Sequence, residues 1–156
     1  IDDEGIPPRS LELELTESVL LESTEQNRKK VAALRELGCL VAIDDFGTGF
    51  ATLNYIRRFP MDVLKIDRTF IRNLPYDAEN MAITNAITAL GNSLGLEVVA
   101  EGVETEEEFE YLRSIGCPVV QGYLFSAAMD AETLVRWEQE RRAKKTASSA
   151  PSTEPI

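Results

Sequence analysis

The sequence predicts an α/β protein: five parallel strands with intervening helices, the C-terminal portion of a (β/α)8 barrel. Three observations predict it. Short apolar runs at 11–15, 40–43, 63–66, 98–100 and 119–121 are each followed by a helix-type segment. That alternation means a parallel sheet with crossover helices. No glycine-rich phosphate loop follows the first run, as a doubly wound sheet usually shows. Each run also ends in polar residues: Glu14, then Asp44 and Asp45, then Lys65 and Asp67, then Glu101, then Gln121. A barrel gathers the C-terminal ends of several strands at one site. A full barrel takes eight strands and about 250 residues, so 156 residues hold its last five βα units. A chain that opens at Ile1 and not at Met reads as part of a longer protein.

Residues 1–10, with two prolines and a glycine, read as a loop entering the domain. In 11–15, Leu11, Leu13 and Leu15 face one way and Glu12 and Glu14 the other. Ser23-Thr-Glu-Gln26 is a capping-box pattern for a helix with Val31, Leu34 and Leu37 on its apolar stripe, and Gly38 suits its C-terminal cap. A short helix at 51–59 ends before Pro60. The longest helix spans 77–94, with Ile83, Ile87, Leu90 and Leu94 on one face and Gly95 closing it. Thr105-x-x-Glu108 caps the next helix, and Gly116 stops it. Asp130 caps a last helix holding Leu134 and Trp137. The domain body is therefore 11–143. From Lys144 the composition turns to Ala, Ser, Thr, Pro and Lys, and 144–156 are expected to be a disordered tail.

Composition excludes several functions. There is no histidine among the 156 residues, so Ser–His–Asp and Cys–His catalysis and His-ligated metal sites are out. Any metal must be bound by oxygen, which points to magnesium, manganese or calcium. A net charge of −11, from 27 acids and 16 bases, repels a nucleic-acid polymer. A small phosphate ligand binds such a surface only if metal ions neutralise the local acids. Two cysteines, Cys39 and Cys117, make no disulfide framework, and a reduced, cytoplasmic setting is expected. No run of about 18 apolar residues occurs.

The polar strand ends carry the chemistry. Asp44-Asp45-Phe46-Gly47-Thr48-Gly49 places two acids at one strand end. Both reach one site only if the chain turns there, and Gly47 and Gly49 allow that turn. One carboxylate bridging two ions beside a neighbour that holds the second is a two-metal arrangement; a helix cap is the plainer account. Glu14-Leu-Thr-Glu17 sets two acids where a strand passes into a loop. Lys65 lies between Leu64 and Ile66, and a buried lysine needs a partner. Asp67 on the same face offers an ion pair, whereas a water or phosphate oxygen offers a function. Glu101 shares a face with Val99; Glu104 suits either the site or the acidic start of the next helix. Gln121 can orient a water or a base edge. Tyr123 and Phe125 read as packing residues.

Glu14-Leu-Thr-Glu17, Asp44-Asp-Phe-Gly-Thr-Gly49, Leu64-Lys-Ile-Asp67, Glu101-Gly-Val-Glu104 and Gln121-Gly-Tyr-Leu-Phe-Ser126, in that order, resemble the EAL-domain family of bacterial cyclic-di-GMP phosphodiesterases. The resemblance covers about residues 11–137. It implies a (β/α)8-type barrel and two-metal hydrolysis of cyclic di-GMP to linear pGpG with Mg2+ or Mn2+. It implies that Glu14 and Asp44 bind the first metal, and that Asp44, Asp45 and Glu101 hold the second. Lys65 would steady the attacking water or the developing charge, and Glu101 is also the implied general base. Glu17 would brace the Asp-Phe-Gly-Thr-Gly loop, while Asp67, Glu104 and Gln121 would shape the water and ligand positions.

The chain departs from the family pattern in two places. The signature Glu-Ala-Leu strand and a later Asn-bearing strand, both sources of ligands to the first metal, are absent. Ala127-Ala128 stands where a basic residue and a proline are usual. The expected function is the C-terminal part of a cyclic-di-GMP phosphodiesterase, inactive without its missing N-terminal strands. The alternative is a non-catalytic cyclic-di-GMP receptor or interaction module. Expected partners are cyclic di-GMP, the N-terminal half of the domain, an upstream sensory or diguanylate-cyclase domain, and a second copy if the half-barrel completes itself by dimerising.

Overall fold

The structure, a computed structural model, describes residues 4–17, 19, 24–48, 56 and 59–148, with side chains described through 142. The chain divides into two units, Ile1–Phe125 and Ser126–Ile156.

The first unit is a five-stranded sheet with strands in sequence order: β1 (Glu12–Thr16), β2 (Leu40–Phe46), β3 (Val63–Ile66), β4 (Glu97–Glu101) and β5 (Val119–Gln121). All four neighbour pairings are parallel. Helix α1 (Glu25–Glu36) links β1 to β2, α2 (Arg68–Ile71) and α3 (Ala78–Leu94) lie between β3 and β4, and α4 (Glu106–Ser114) links β4 to β5. The predicted five parallel strands with intervening helices are therefore what the chain forms. The helix expected at 51–59 lies largely outside the described residues.

Register separates two chemistries onto the two faces of the sheet. Leu15, Ile43, Leu64 and Val98 lie in one cross-strand row. Ile66, Ala100 and Val120 continue that face, because side chains alternate along each strand. Ile43, Leu64, Ile66 and Ala100 are fully buried, each large aliphatic contributing about 1.5–3 kcal/mol of transfer free energy. The opposite face carries Glu12, Glu14 and Thr16 of β1, Leu40, Ala42 and Asp44 of β2, Val63 and Lys65 of β3, Glu97, Val99 and Glu101 of β4, and Val119 and Gln121 of β5. A face so rich in charge marks the one turned away from the helices.

Helix α3 explains how tightly the apolar face is covered. A Cβ added at Gly91 would lie 2.3 Å from Val98 Cγ2, so a glycine lets the helix settle onto β4. The Asp77 side chain accepts from the backbone of Glu79 and Asn80 at its start, and Gly95 ends it at φ 70°. Helix α4 carries the predicted capping box between Thr105 and Glu108. At α1 the cap is Thr24, which accepts from Asn27 N, one residue later than the predicted box; Ser23 lies outside the described residues. Cys39 and Cys117 are buried free thiols, and burial pushes the Cys117 thiol up to about 11.

The second unit is built on α5 (Ala131–Ser148). Asp130 accepts from Thr133 N at 2.8 Å, and the Arg141 guanidinium lies over the Trp137 ring at 5.1 Å. The helix runs to Ser148, into the span 144–156 expected as a tail. Ala143, Lys144, Lys145 and Ala147 are good helix formers, and propensity extends a helix past the end of its apolar pattern. Residues 149–156 lie outside the description. No described helix is long and apolar enough to cross a membrane.

Candidate active site

Parallel strands in one register bring their C-terminal ends to one rim, and the polar residues meet there. Lys65, only 5% exposed, extends from β3 toward carboxylates of three other strands. Its ammonium contacts Glu14 of β1, Glu101 Oε1 of β4 at 2.6 Å and Asp44 Oδ1 of β2 at 3.7 Å. Burial lowers the pKa of this ammonium, and its hydrogen bonds to Glu101 and Glu14 more than reverse that, leaving it raised. The ion pair with Asp67 considered from sequence does not form. Asp67 instead caps α2, accepting from Thr69 N at 2.9 Å and from the Thr69 hydroxyl.

The turn at Asp44 and Asp45 is made differently from the sequence expectation. The β2–β3 register slips between Ile43 and Phe46, and Asp45 takes a left-handed conformation with φ 54°. Aspartate tolerates that region better than most residues because its short polar side chain bonds locally. Asp45 N donates to Asp44 Oδ1 at 3.0 Å. The bulge thus cancels the alternation that would send neighbouring side chains to opposite faces. Gly47, at φ 100°, takes the next step of the turn, and Gly49 lies outside the described residues. Glu17, buried and helical directly after β1, accepts from Gly47 N at 3.3 Å.

Asp44, Asp45 and Glu101 offer oxygens that all lie within 4.8 Å of one another. Three carboxylate oxygens at that spacing fit a hard divalent cation. Glu14 stands outside this set and is turned to Lys65. Burial raises the pKa of Glu101; Lys65 opposes the shift and Asp44 and Glu14 add to it. Asp45 is raised by burial first, then by Asp44 and Asp67. Asp67 is lowered: burial opposes this, but hydrogen bonds from Thr69 and from Asp45 outweigh it.

Gln121 Nε2 donates to Glu101 Oε1 at 2.6 Å, so the amide at the end of β5 fixes the acid at the end of β4. Glu104 immediately precedes Thr105, the N-cap of α4. Its side chain is exposed, and its backbone N–H donates to Glu108 Oε2 at 2.8 Å, just outside the α4 cap. Tyr123 is 70% exposed and does not pack as expected, whereas Phe125 meets the edge of Phe109 at 6.0 Å.

Two supporting glycines were missed in the sequence. A Cβ at Gly122 would lie 2.2 Å from Val103 O and 2.3 Å from Val103 N. That close approach permits Val103 N to donate to Gln121 O at 3.1 Å and Leu124 N to Val103 O at 3.0 Å. A Cβ at Gly102 would lie 2.6 Å from Arg68 Cβ. The signal was legible: in Glu101-Gly102 and Gln121-Gly122 a glycine follows the last polar residue of a strand, where backbones converge.

The fold and site define a class: a parallel βα sheet whose C-terminal rim presents a carboxylate set suited to divalent cations. The chain belongs to the EAL domain family, whose model matches residues 1–128. It is 45% identical over 134 residues to the cyclic di-GMP phosphodiesterase NbdA of Pseudomonas aeruginosa, covering 86% of this chain and 17% of that protein. A solved structure of the MucR phosphodiesterase from Pseudomonas aeruginosa in complex with c-di-GMP superposes with a TM-score of 0.79 at 43% identity, covering 85% of this chain and 53% of that one. The manganese and cyclic di-GMP complex of Klebsiella pneumoniae BlrP1 gives a TM-score of 0.74 at 38% identity, over 80% of this chain and 32% of that one. The chain thus spans about a sixth of the length of its curated relatives.

Proposed function

We propose that the chain is the C-terminal part of a metal-dependent phosphodiesterase that hydrolyses cyclic di-GMP to linear pGpG. The observation that carries this is the oxygen set of Asp44, Asp45 and Glu101, with Lys65 against two of its members. The names of relatives supply the substrate: NbdA is a cyclic di-GMP phosphodiesterase, and MucR and BlrP1 have been solved with the dinucleotide.

Asp44, Asp45 and Glu101 would hold a divalent cation, Mg2+ or Mn2+, and Glu14 with Asp44 would contribute to a second. Bound there, such ions supply Lewis acidity toward phosphate oxygens and a nucleophile at neutral pH. Lys65, as an ammonium on the same rim, offsets charge on the phosphate as the ester bond breaks. Gln121 holds Glu101 in place, Glu17 braces the loop after β2 through Gly47 N–H, and Asp67 anchors Asp45. Glu104, exposed just before α4, would help shape the ligand position. Because five strands supply only part of the domain's rim, the isolated chain turns over little substrate. Further domains sit beside this one in relatives named as a bifunctional diguanylate cyclase/phosphodiesterase and an oxygen sensor, and we extend that arrangement to the parent of this chain.

The test is hydrolysis by the chain alone and with the N-terminal βα units of a relative added as a second polypeptide. pGpG formation that needs both pieces and Mn2+ is expected. Asp44→Asn should reduce it by more than the roughly 100-fold typical of losing a supporting residue at a metal site. Robust turnover in chelator would sink the reading. A metal-independent receptor is the second reading, favoured by the fact that Lys65 holds three of the carboxylates together by itself. Calorimetry separates the two: a receptor binds cyclic di-GMP equally well in chelator and releases no product.

A further inference from the structure

We infer that Lys65 is the resident cation of this rim: it holds the carboxylates together when no metal is bound, and a divalent ion must displace it from carboxylates they share. The exchange rests on the metal-holding reading above, while the clamp does not. Lys65 lies on β3, and its three acidic partners come from β1, β2 and β4. One ammonium therefore ties four adjacent strands at their C-terminal ends. Among the described residues, no other cation is paired with these acids. Without it, Glu14, Asp44 and Glu101 would face one another unbalanced, with Asp45 beside them.

The overlap with the metal-type set makes the two roles compete. Asp44 and Glu101 belong both to the Lys65 clamp and to the oxygen set with Asp45. Glu101 Oε1 accepts from Lys65 Nζ at 2.6 Å and from Gln121 Nε2 at 2.6 Å. Two donors occupy that oxygen, so a cation held by the Glu101 carboxylate sits beside the ammonium and competes with it for the same charge. Gln121 is neutral, and Lys65 is the donor a dication repels. The ammonium then turns from the acids toward whatever anion occupies the rim.

The experiment compares the wild-type chain with Lys65→Met, a neutral side chain of similar length, by thermal unfolding and by Mn2+ binding read from free Mn2+ in electron paramagnetic resonance. Without metal, the Tm of Lys65→Met should fall by about 5 °C or more, since breaking a buried charge pair leaves its partners uncompensated. Its affinity for Mn2+ should rise about ten-fold, one like charge having been removed from beside the site. A purely structural lysine would not raise metal affinity. Mn2+ binding by both chains, but no tighter in the variant, overturns the exchange and leaves the metal reading standing. Mn2+ binding by neither chain overturns the metal reading and the exchange together, and the metal-free melting still decides the clamp. If Lys65→Met fails to fold, the wild type suffices. Its Lys65 ammonium resonance, protected from solvent without metal, should move on saturation with Mg2+, and a resonance that stays in place overturns the exchange.

Discussion

At the N-terminal ends of β2 and β3, Arg35 meets Asp62 with two hydrogen bonds of 3.0 and 2.5 Å, and Val41 N donates to the same carboxylate at 3.0 Å. At the C-terminal ends of the same sheet, Glu14, Asp44 and Glu101 pair with a single ammonium, Lys65, and Asp45 lies within its field. At the first of these ends Arg35 and Asp62 balance one another as a single pair of opposite charges. The other gathers acids that repel one another and leaves them short of positive charge. Stability alone selects the first arrangement. The second is what a rim looks like when it is built to receive cations, and in barrels of this type the C-terminal face carries chemistry while the opposite face carries stability.

The comparison breaks most severely at Gly122. Gly122→Ala puts a Cβ 2.2 Å from Val103 O, against backbone that is hydrogen-bonded on both sides. The chain must move, and Gln121 moves with it away from Glu101. A loss of about 3 kcal/mol or more is expected, seen as a Tm lower by roughly 6 °C or more. An unchanged Tm would show that the rim does not depend on this contact.

A smaller effect belongs to the balanced end. Asp62→Asn keeps an oxygen for Val41 N but leaves the Arg35 guanidinium without its carboxylate. Both side chains are partly exposed, so solvent screens the pair, and about 1–2 kcal/mol is expected for a charge-assisted bond in this setting. The pH dependence has a definite sign. Burial raises the Asp62 pKa, but Arg35 and Val41 N outweigh it and leave it below the ordinary value of 3.8. The folded chain therefore releases this proton more readily than the unfolded one. The stabilisation is complete above the unfolded pKa and is lost as pH falls through the lower folded value. Chemical denaturation at pH 7 should show the full gap between wild type and Asp62→Asn. A gap unchanged at the lowest pH that preserves the fold would contradict the pairing.

The sequence showed one of these ends far better than the other. Polar residues ending apolar runs, as at Asp44, Lys65 and Glu101, stand out because burial patterning is written into strand alternation. The Thr105–Glu108 box was legible for a similar reason: three-residue spacing is local. The bulge that turns Asp45 was not, since a register slip is decided between β2 and β3 and not within either. Asp67 looked like a partner for Lys65 because both lie on one strand face, yet the start of α2 beyond Ile66 claimed it as a cap. Nor did Arg35 and Asp62 attract notice, lying 27 positions apart with no pattern joining them.

The smallest effect gives the sharpest contrast, because the opposite sign is expected from the same chemical change. Asp45→Asn, like Asp62→Asn, replaces a carboxylate with an amide, but at the crowded end. Burial, Asp44 and Asp67 raise the Asp45 pKa above 3.8, so the folded state holds that proton more tightly than the unfolded state does. Above the folded pKa, ionised Asp45 destabilises the fold; as pH falls toward the unfolded value, protonation relieves this. Asparagine is neutral at every pH, suits the positive φ of 54°, and can donate to Asp67. Without metal at pH 7, Asp45→Asn should therefore raise stability by about 0.5–1 kcal/mol, a gain that disappears as pH approaches the unfolded carboxylate value. The same substitution should weaken Mn2+ binding, because it removes a charged oxygen from the set with Asp44 and Glu101. If Asp45→Asn instead destabilises the metal-free chain, this carboxylate is held in place for the fold, and the two ends of the sheet differ less than their charges indicate.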